Sequence, residues 1–383
     1  MSYWNGKAFL RFLYNNFFHN RETNYRLTGK RLGVLLLAFS IYLPAEFLIW
    51  SGLFLDEILF PAYRQEQISQ PVFIIGNPRS GTTFLQRLLA RDPENFLAMR
   101  TWEIFAAPSI LSRKTLSFAT STARAIGVRV SRRIRKLESL WKDSDRIHRL
   151  KLRAPEEDEY LLIHIFSNLK IWSFAAMEEE ADPFIFFDDI MPDADKARIM
   201  DFYQACIQRH VHYHGGGAKH YLAKNPNFSP MIKTLLDRFP DGKFIYLIRT
   251  PLKAIPSHIS LKEREWQMLG SPLEKYACRD FILKASEHWY EYPLQVLKEL
   301  PDDQQIVVRF DDLVSNTKGT IQEIYQRLGL ALTPAFSDLL TEETEKARNH
   351  RSQHHYSIEE MGLDPQALQN SYSELIDQYQ LRK

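Results

Sequence analysis

Val72-Phe73-Ile74-Ile75-Gly76-Asn77-Pro78-Arg79-Ser80-Gly81-Thr82-Thr83, continuing as Phe84-Leu85-Gln86-Arg87-Leu88-Leu89, decides how the rest of the chain is read. Four apolar, mostly β-branched or aromatic residues suit a fully buried strand of a parallel sheet. Phe84, Leu85, Leu88 and Leu89 then share one helical face, and Asp92-Pro93 stops that helix. Between strand and helix, Gly76 and Gly81 permit a sharp turn in which free N–H groups of the loop and first helical turn converge on one anion. The spacing matches a nucleoside-triphosphate loop, except that Thr82 stands where the lysine belongs. That exchange removes the clamp on β- and γ-phosphates. Arg79 inside the loop and the hydroxyls of Thr82 and Thr83 suit a single terminal phosphate. The bland alternative is a strand-to-helix turn with no ligand.

The segment Gly76 to Thr83 resembles the 5′-phosphosulfate loop of sulfotransferases that use 3′-phosphoadenosine 5′-phosphosulfate (PAPS). A second stretch, Phe244-Ile245-Tyr246-Leu247-Ile248-Arg249-Thr250-Pro251 with Ser257 beyond it, resembles that family's 3′-phosphate motif, a strand ending in Arg followed by a helix carrying Ser. The resemblance implies that Arg79, Ser80, Gly81, Thr82 and Thr83 hold one phosphate and that Arg249 and Ser257 hold the other. It further implies PAPS as co-substrate, adenosine 3′,5′-bisphosphate (PAP) as product, and no metal ion. The implied fold is α/β: a three-layer, P-loop-like parallel sheet with helices on both faces and a helical cap on the substrate side. Strands are expected at 72–75, 96–99, 220–223, 243–249 and 306–313. Residues 104–215 carry no strand pattern and are expected to form the cap.

Composition fits that class. The chain has 383 residues, 45% hydrophobic and 25% charged, and a formal charge of +2 that gives no support to a nucleic-acid partner. Cys206 and Cys278 make no disulfide framework and suit a reducing, cytoplasmic setting. One elaborated domain is expected at 66–383, preceded by a helical segment at 1–65. In that segment Phe9, Leu13 and Phe17 recur as an apolar helical stripe with arginines off it. Residues 32–55 are mostly apolar, but Pro44 and Glu46 interrupt them, so two helices, forming a hairpin or one kinked helix, are expected. The readings left open for residues 1–60 are a peripheral membrane contact or a wall that serves a lipid acceptor, packing on the body of the protein and, last, a transmembrane anchor.

Several residues are candidates for the chemistry. Lys224-Asn225-Pro226 resembles the strand-end Lys-x-His of cytosolic sulfotransferases, with Pro226 in place of the usual base. Glu103, at the end of the strand after the phosphate loop, resembles the glutamate of tyrosylprotein and heparan sulfotransferases and is the expected general base. Lys224 and Arg79 are expected to stabilise charge on the departing phosphate oxygen. His148 and Glu157, the latter in Pro155-Glu156-Glu157-Asp158-Glu159, resemble a cleft segment of bacterial family members and stand second to Glu103. Arg351 and His354 match a segment that closes over the nucleotide in those members. His210, His212 and His214 precede three glycines and are better read as a helix end than as metal ligands. The expected reaction is transfer of a sulfuryl group to an acceptor hydroxyl, on a small molecule or lipid. A nucleotide kinase and a non-catalytic nucleotide-binding membrane scaffold are the rivals.

Overall fold

The computed structural model describes residues 3–125, 152–349 and 358–381. His148, Arg351, His354 and the basic run Arg129 to Lys136 lie outside the described residues. Five parallel strands make one sheet in the order β2-β3-β1-β4-β5: β1 Val72–Ile75, β2 Phe96–Leu97, β3 His220–Lys224, β4 Lys243–Ile248 and β5 Gln305–Arg309. Because side chains alternate across a strand, each strand feeds two cores. Phe73, Ile75, Phe244, Tyr246 and Ile248 join one core, whereas Val72, Ile74, Ile245 and Leu247 join the other. The first core is closed by the helices Asp193–Tyr213, Ile232–Arg238 and Arg279–Leu297, the second by α3 (Thr82–Leu89), Thr317–Arg327 and Pro334–Asn349. Two apolar faces covered by helices account for strands that read as continuous hydrophobic runs.

The expected strand at 306–313 is shorter, because β5 gives way at Phe310 to the helix Phe310–Ser315. Arg309 holds Asp312 through two hydrogen bonds of 2.5 and 2.7 Å, an i,i+3 pair that a helical turn can make and a strand cannot. Between 104 and 215 the described residues hold helices and no strand. These include α4 (Thr101–Phe105), its immediate precursor, then α5 (Ile110–Ala125), the 3-10 helix Asp158–Ile165, and Leu169–Phe174.

Two N-terminal helices lie on the cap: α1 (Gly6–Phe17) and α2 (Gly29–Leu59). The expected break near Pro44 is absent, and α2 runs unbroken for 31 residues. Pro44 sits on its exposed side. The apolar stripe of α1 also sits differently from expectation, since Phe12 is buried against Phe39, Phe166 and Trp172 while Phe17 is exposed.

Candidate active site

The carboxyl ends of β1, β3 and β4 meet at the middle of the sheet, where the strand order reverses and a crevice must open. The turn after β1 is built for close approach. Gly76 has φ of 141°, and a Cβ there would lie 2.3 Å from the Leu247 carbonyl oxygen. Gly81 caps α3 with φ of 92°, and a Cβ there would strike the Phe310 ring at 2.5 Å. Arg79 itself takes a left-handed φ of 71°, a strained conformation for an arginine. In the first turn of α3 the Phe84 and Leu85 N–H groups bond the Gly81 carbonyl, which leaves those of Thr82 and Thr83, two residues that line the crevice, without a carbonyl inside the helix.

Arg79 and Arg249 are interlocked across the two motifs. The Arg79 Nε donates to the Ser257 hydroxyl at 3.0 Å, and Arg249 Nη1 donates to the Arg79 carbonyl at 2.8 Å. Arg249 follows β4 directly and lies over the Phe310 ring at 4.5 Å, and Tyr290 donates to the Arg249 carbonyl at 2.8 Å. Ser257 projects from the helix Pro251–Leu269, which begins with Pro251 and continues through Pro256.

A cleft of about 310 Å³ opens from this loop, lined among others by Arg79, Thr82, Thr83, Glu157, Lys170 and Arg249. Its remaining wall is apolar on one side, through Leu169, Phe174, Leu261, Phe281 and Trp289, with His258, Lys262 and Glu265 among them. Glu157 lies between two ammonium groups. Its Oε1 accepts from Lys224 Nζ at 2.7 Å, and its Oε2 pairs with Lys170. Burial works against a charge on Lys170, but Glu157, Tyr160 and Glu159 outweigh it and raise its pKa well above that of a free lysine. Burial, aided by Lys262, Arg79 and Lys170, pushes His258 well below the usual imidazole range, so this ring is neutral at pH 7.

The position of Glu157 follows from its neighbour. Asp158 is buried and accepts hydrogen bonds from Tyr203 at 2.5 Å, Tyr221 at 2.6 Å and Asn225 at 2.7 Å, which fix the backbone beside the end of β3. Glu159 N–H donates to Asn225 Oδ1 at 3.0 Å, and its side chain accepts from Asn227 at 2.7 Å. The acidic run is thus a clasp on the sheet that turns one carboxylate, Glu157, into the cleft.

Glu103 is not among the residues lining the cleft. The side chain is buried at the start of α4, where it accepts from the Arg100 N–H at 2.7 Å and meets His214 at 3.3 Å. Burial alone would raise its pKa, but His214, Arg113 and the Arg100 N–H outweigh this and lower it. The carboxyl expected to act as base is thus set among fixed partners, outside the residues that line the cleft. His210 and His214 share a face at the end of Asp193–Tyr213, and with Glu103 they form a three-residue cluster of potential ligands. Arg113 donates to His210 Nδ1 at 2.7 Å, so a buried cation already sits against this cluster. His212 points elsewhere, to Glu66 at 2.8 Å.

Residues 71–334 match the model of the sulfotransferase family. The chain belongs to that family. Among curated proteins it is 25% identical over 269 residues to omega-hydroxy-beta-dihydromenaquinone-9 sulfotransferase Stf3 of Mycobacterium tuberculosis, and equally to that of Mycobacterium bovis. The match covers 68% of this chain and 63% of those relatives, so the chain spans somewhat under two thirds of their length. Sulfotransferase STF1 from Mycobacterium tuberculosis superimposes with a TM-score of 0.70 over 97% of this chain and 94% of that one, at 19% identity. Sulfotransferase STF9 from Mycobacterium avium gives 0.64 over 84% and 80%, at 20% identity. The chain therefore has the three-layer α/β fold of the family, as the phosphate-loop resemblance implied.

Within it, the residues singled out in the sequence divide into groups. Arg79, Gly81, Thr82, Thr83, Arg249 and Glu157 line one cleft, and Ser257 touches it through Arg79. Ser80 is fully buried inside the loop. Lys224 is likewise buried, behind Glu157 and Thr83, whose hydroxyl it reaches at 3.2 Å. Lys170, Lys262, Glu265 and His258 were not singled out from sequence. His258 directly follows Ser257 in the second motif, a signal that was available, but Lys170 lies in a helical stretch with no motif around it.

Proposed function

We propose that this chain transfers a sulfuryl group from PAPS to a hydroxyl of a hydrophobic acceptor. The observation that carries the reading is a single cleft in which a lysine-free phosphate loop, Arg249 and the Glu157 carboxylate face one another. The donor set fits two separate phosphates: Arg79, Thr82, Thr83 and the first-turn N–H groups of α3 for one, Arg249 and Ser257 for the other. Arg79, Lys170, Lys262 and Arg249 against Glu157 and Glu265 leave the lining positive, as a polyanionic donor requires. PAPS supplies the sulfuryl group and a phosphate leaving group.

In this reading Glu157 accepts the proton of the acceptor hydroxyl. An ion-paired carboxylate is in its proton-accepting form, and its two lysine partners fix its direction. Lys224, bridging Glu157 and the Thr83 hydroxyl, carries positive charge toward the loop where negative charge grows. Neutral His258 gives a hydrogen-bonding group without adding charge. The apolar wall of Leu169, Phe174, Leu261, Phe281 and Trp289 takes a greasy acceptor and excludes water. The name of the Stf3 relatives, whose acceptor is a hydroxylated menaquinone, supports a lipid acceptor here. A kinase is disfavoured by Thr82 at the lysine position. The test is incubation with radiolabelled PAPS and lipid alcohols, with PAP release measured in parallel; no label in the organic phase and no PAP would refute the reading.

A further inference from the structure

The two sides of α2 have opposite chemistry. Its inner side is fastened to the body by polar groups along its whole length. Arg31 is buried and donates to Asn16 Oδ1 and to the carbonyls of Ala175 and Leu269. Tyr42 donates to the Ile163 carbonyl at 2.9 Å, Glu46 meets His164 at 2.7 Å, and Trp50 donates to the His164 carbonyl at 3.0 Å. Asp56 accepts from the N–H groups of Ile110 and Leu111 at 2.7 and 2.9 Å. The outer side carries Leu36, Leu37, Ile41, Phe47, Leu48 and Phe54, exposed by 62, 63, 63, 74, 68 and 65%. An 18-residue window of this helix has a mean hydropathy of 2.1 with 17% of it buried. An apolar face of this extent in water marks an interaction surface.

The flanking charge says what covers it. α1 packs on α2 through Phe9 and Phe12 against Phe39, at 6.0 and 6.2 Å, and exposes Lys7, Leu10, Arg11, Tyr14, Phe17 and Phe18 at helical spacing. Across residues 3–31 the exposed cations are Lys7, Arg11, Arg21, Arg26 and Lys30, of which Arg11 is paired with Glu180 at 2.9 Å, and the sole acid in that stretch is Glu22. Basic and aromatic side chains beside an aliphatic face are what an anionic bilayer surface accepts, and they repel a second copy of the same surface.

We propose that α1 and the outer side of α2 lie in the plane of an anionic bilayer, making the chain monotopic. The inward anchors at Arg31 and Asp56 are about 38 Å apart at ~1.5 Å per residue, so a spanning helix would have to strip both and bare Glu46 to hydrocarbon. The inference goes beyond the sulfuryl-transfer reading and stands on the surface alone. It also links the two, because α2 grips Ile163 and His164 at the end of the same 3-10 helix whose start places Glu157 in the cleft.

Vesicle flotation of the full chain tests it, with phosphatidylglycerol–phosphatidylcholine vesicles, phosphatidylcholine vesicles, and the variants Phe47→Asp/Leu48→Asp and Lys7→Glu/Arg21→Glu. All four positions are exposed, and an unchanged melting midpoint with an unchanged circular-dichroism spectrum verifies folding. The expected result is flotation with the anionic vesicles, weaker with neutral lipid or high salt, and reduced about tenfold or more in both variants. Three results would overturn it: no flotation of the wild type, retention on alkaline carbonate extraction as a spanning helix gives, or a dimer in solution that Phe47→Asp/Leu48→Asp splits. None of these depends on whether sulfuryl transfer occurs.

Discussion

Glu157 Oε1 and Lys224 Nζ lie 2.7 Å apart, although the residues are 67 positions apart in sequence. The pair joins the cap to the end of a central strand, and it holds a carboxylate in the cleft that the phosphate loop lines. Glu157→Gln keeps size and hydrogen bonding but removes the proton acceptor. It is expected to cut kcat by about a hundredfold or more while leaving PAP affinity within a few fold. Loss of PAP binding in parallel with kcat would make Glu157 a structural clamp.

Arg249 touches the cleft on the side of the second motif and holds the Arg79 carbonyl. Adenosine 3′,5′-bisphosphate is expected to raise the melting temperature without added Mg²⁺, and Arg249→Ala to remove most of that rise. ATP with Mg²⁺ should stabilise poorly, because no loop lysine clamps its terminal phosphates. Equal stabilisation by ATP with Mg²⁺ would favour a kinase.

Glu103 provides the contrasting case. Glu103→Gln leaves Arg113 buried with less compensation, and a loss of roughly 3 kcal/mol in stability is expected, measured by denaturant unfolding. Turnover per folded molecule should change little. A hundredfold fall in kcat with unchanged stability would restore Glu103 as the base.

Glu159 gives the pH dependence. Burial pushes its pKa up from 4.5 to about 7, against Lys170 and Asn227. The unfolded chain releases this proton first as pH rises, so the stability it contributes is present at low pH and lost between about 4.5 and 7. Glu159→Gln is therefore expected to raise the melting temperature by several degrees at pH 8 and much less at pH 5. An equal gain at both values would contradict the assignment.

The phosphate loop was legible because its requirements are local: two glycines at fixed spacing, a buried strand before and an amphipathic helix after. The strands expected at 72–75, 220–223 and 243–249 were legible for the same reason, as dense apolar runs, and are observed at 72–75, 220–224 and 243–248. The direction of Glu103 was not legible, because distance from a strand end says nothing about orientation; α4 turns its carboxylate inward to His214 and the Arg100 N–H. The clasp around Asp158 depends on Tyr203, Tyr221 and Asn225, three partners that no spacing rule connects. The continuity of α2 through Pro44 was hidden too, since the inward anchors that fasten it lie more than a hundred residues away, at Ile163 and His164.

The most direct test of the account is a single-turnover assay with radiolabelled PAPS, a long-chain lipid alcohol and chelator to remove metal ions, run on the full chain and on Glu157→Gln. The account predicts stoichiometric label in the lipid product with the full chain, and transfer slowed about a hundredfold or more in the variant with PAPS still bound. Transfer at the same rate in both proteins would contradict the role given to Glu157, and no transfer from PAPS to any alcohol would contradict the proposed function.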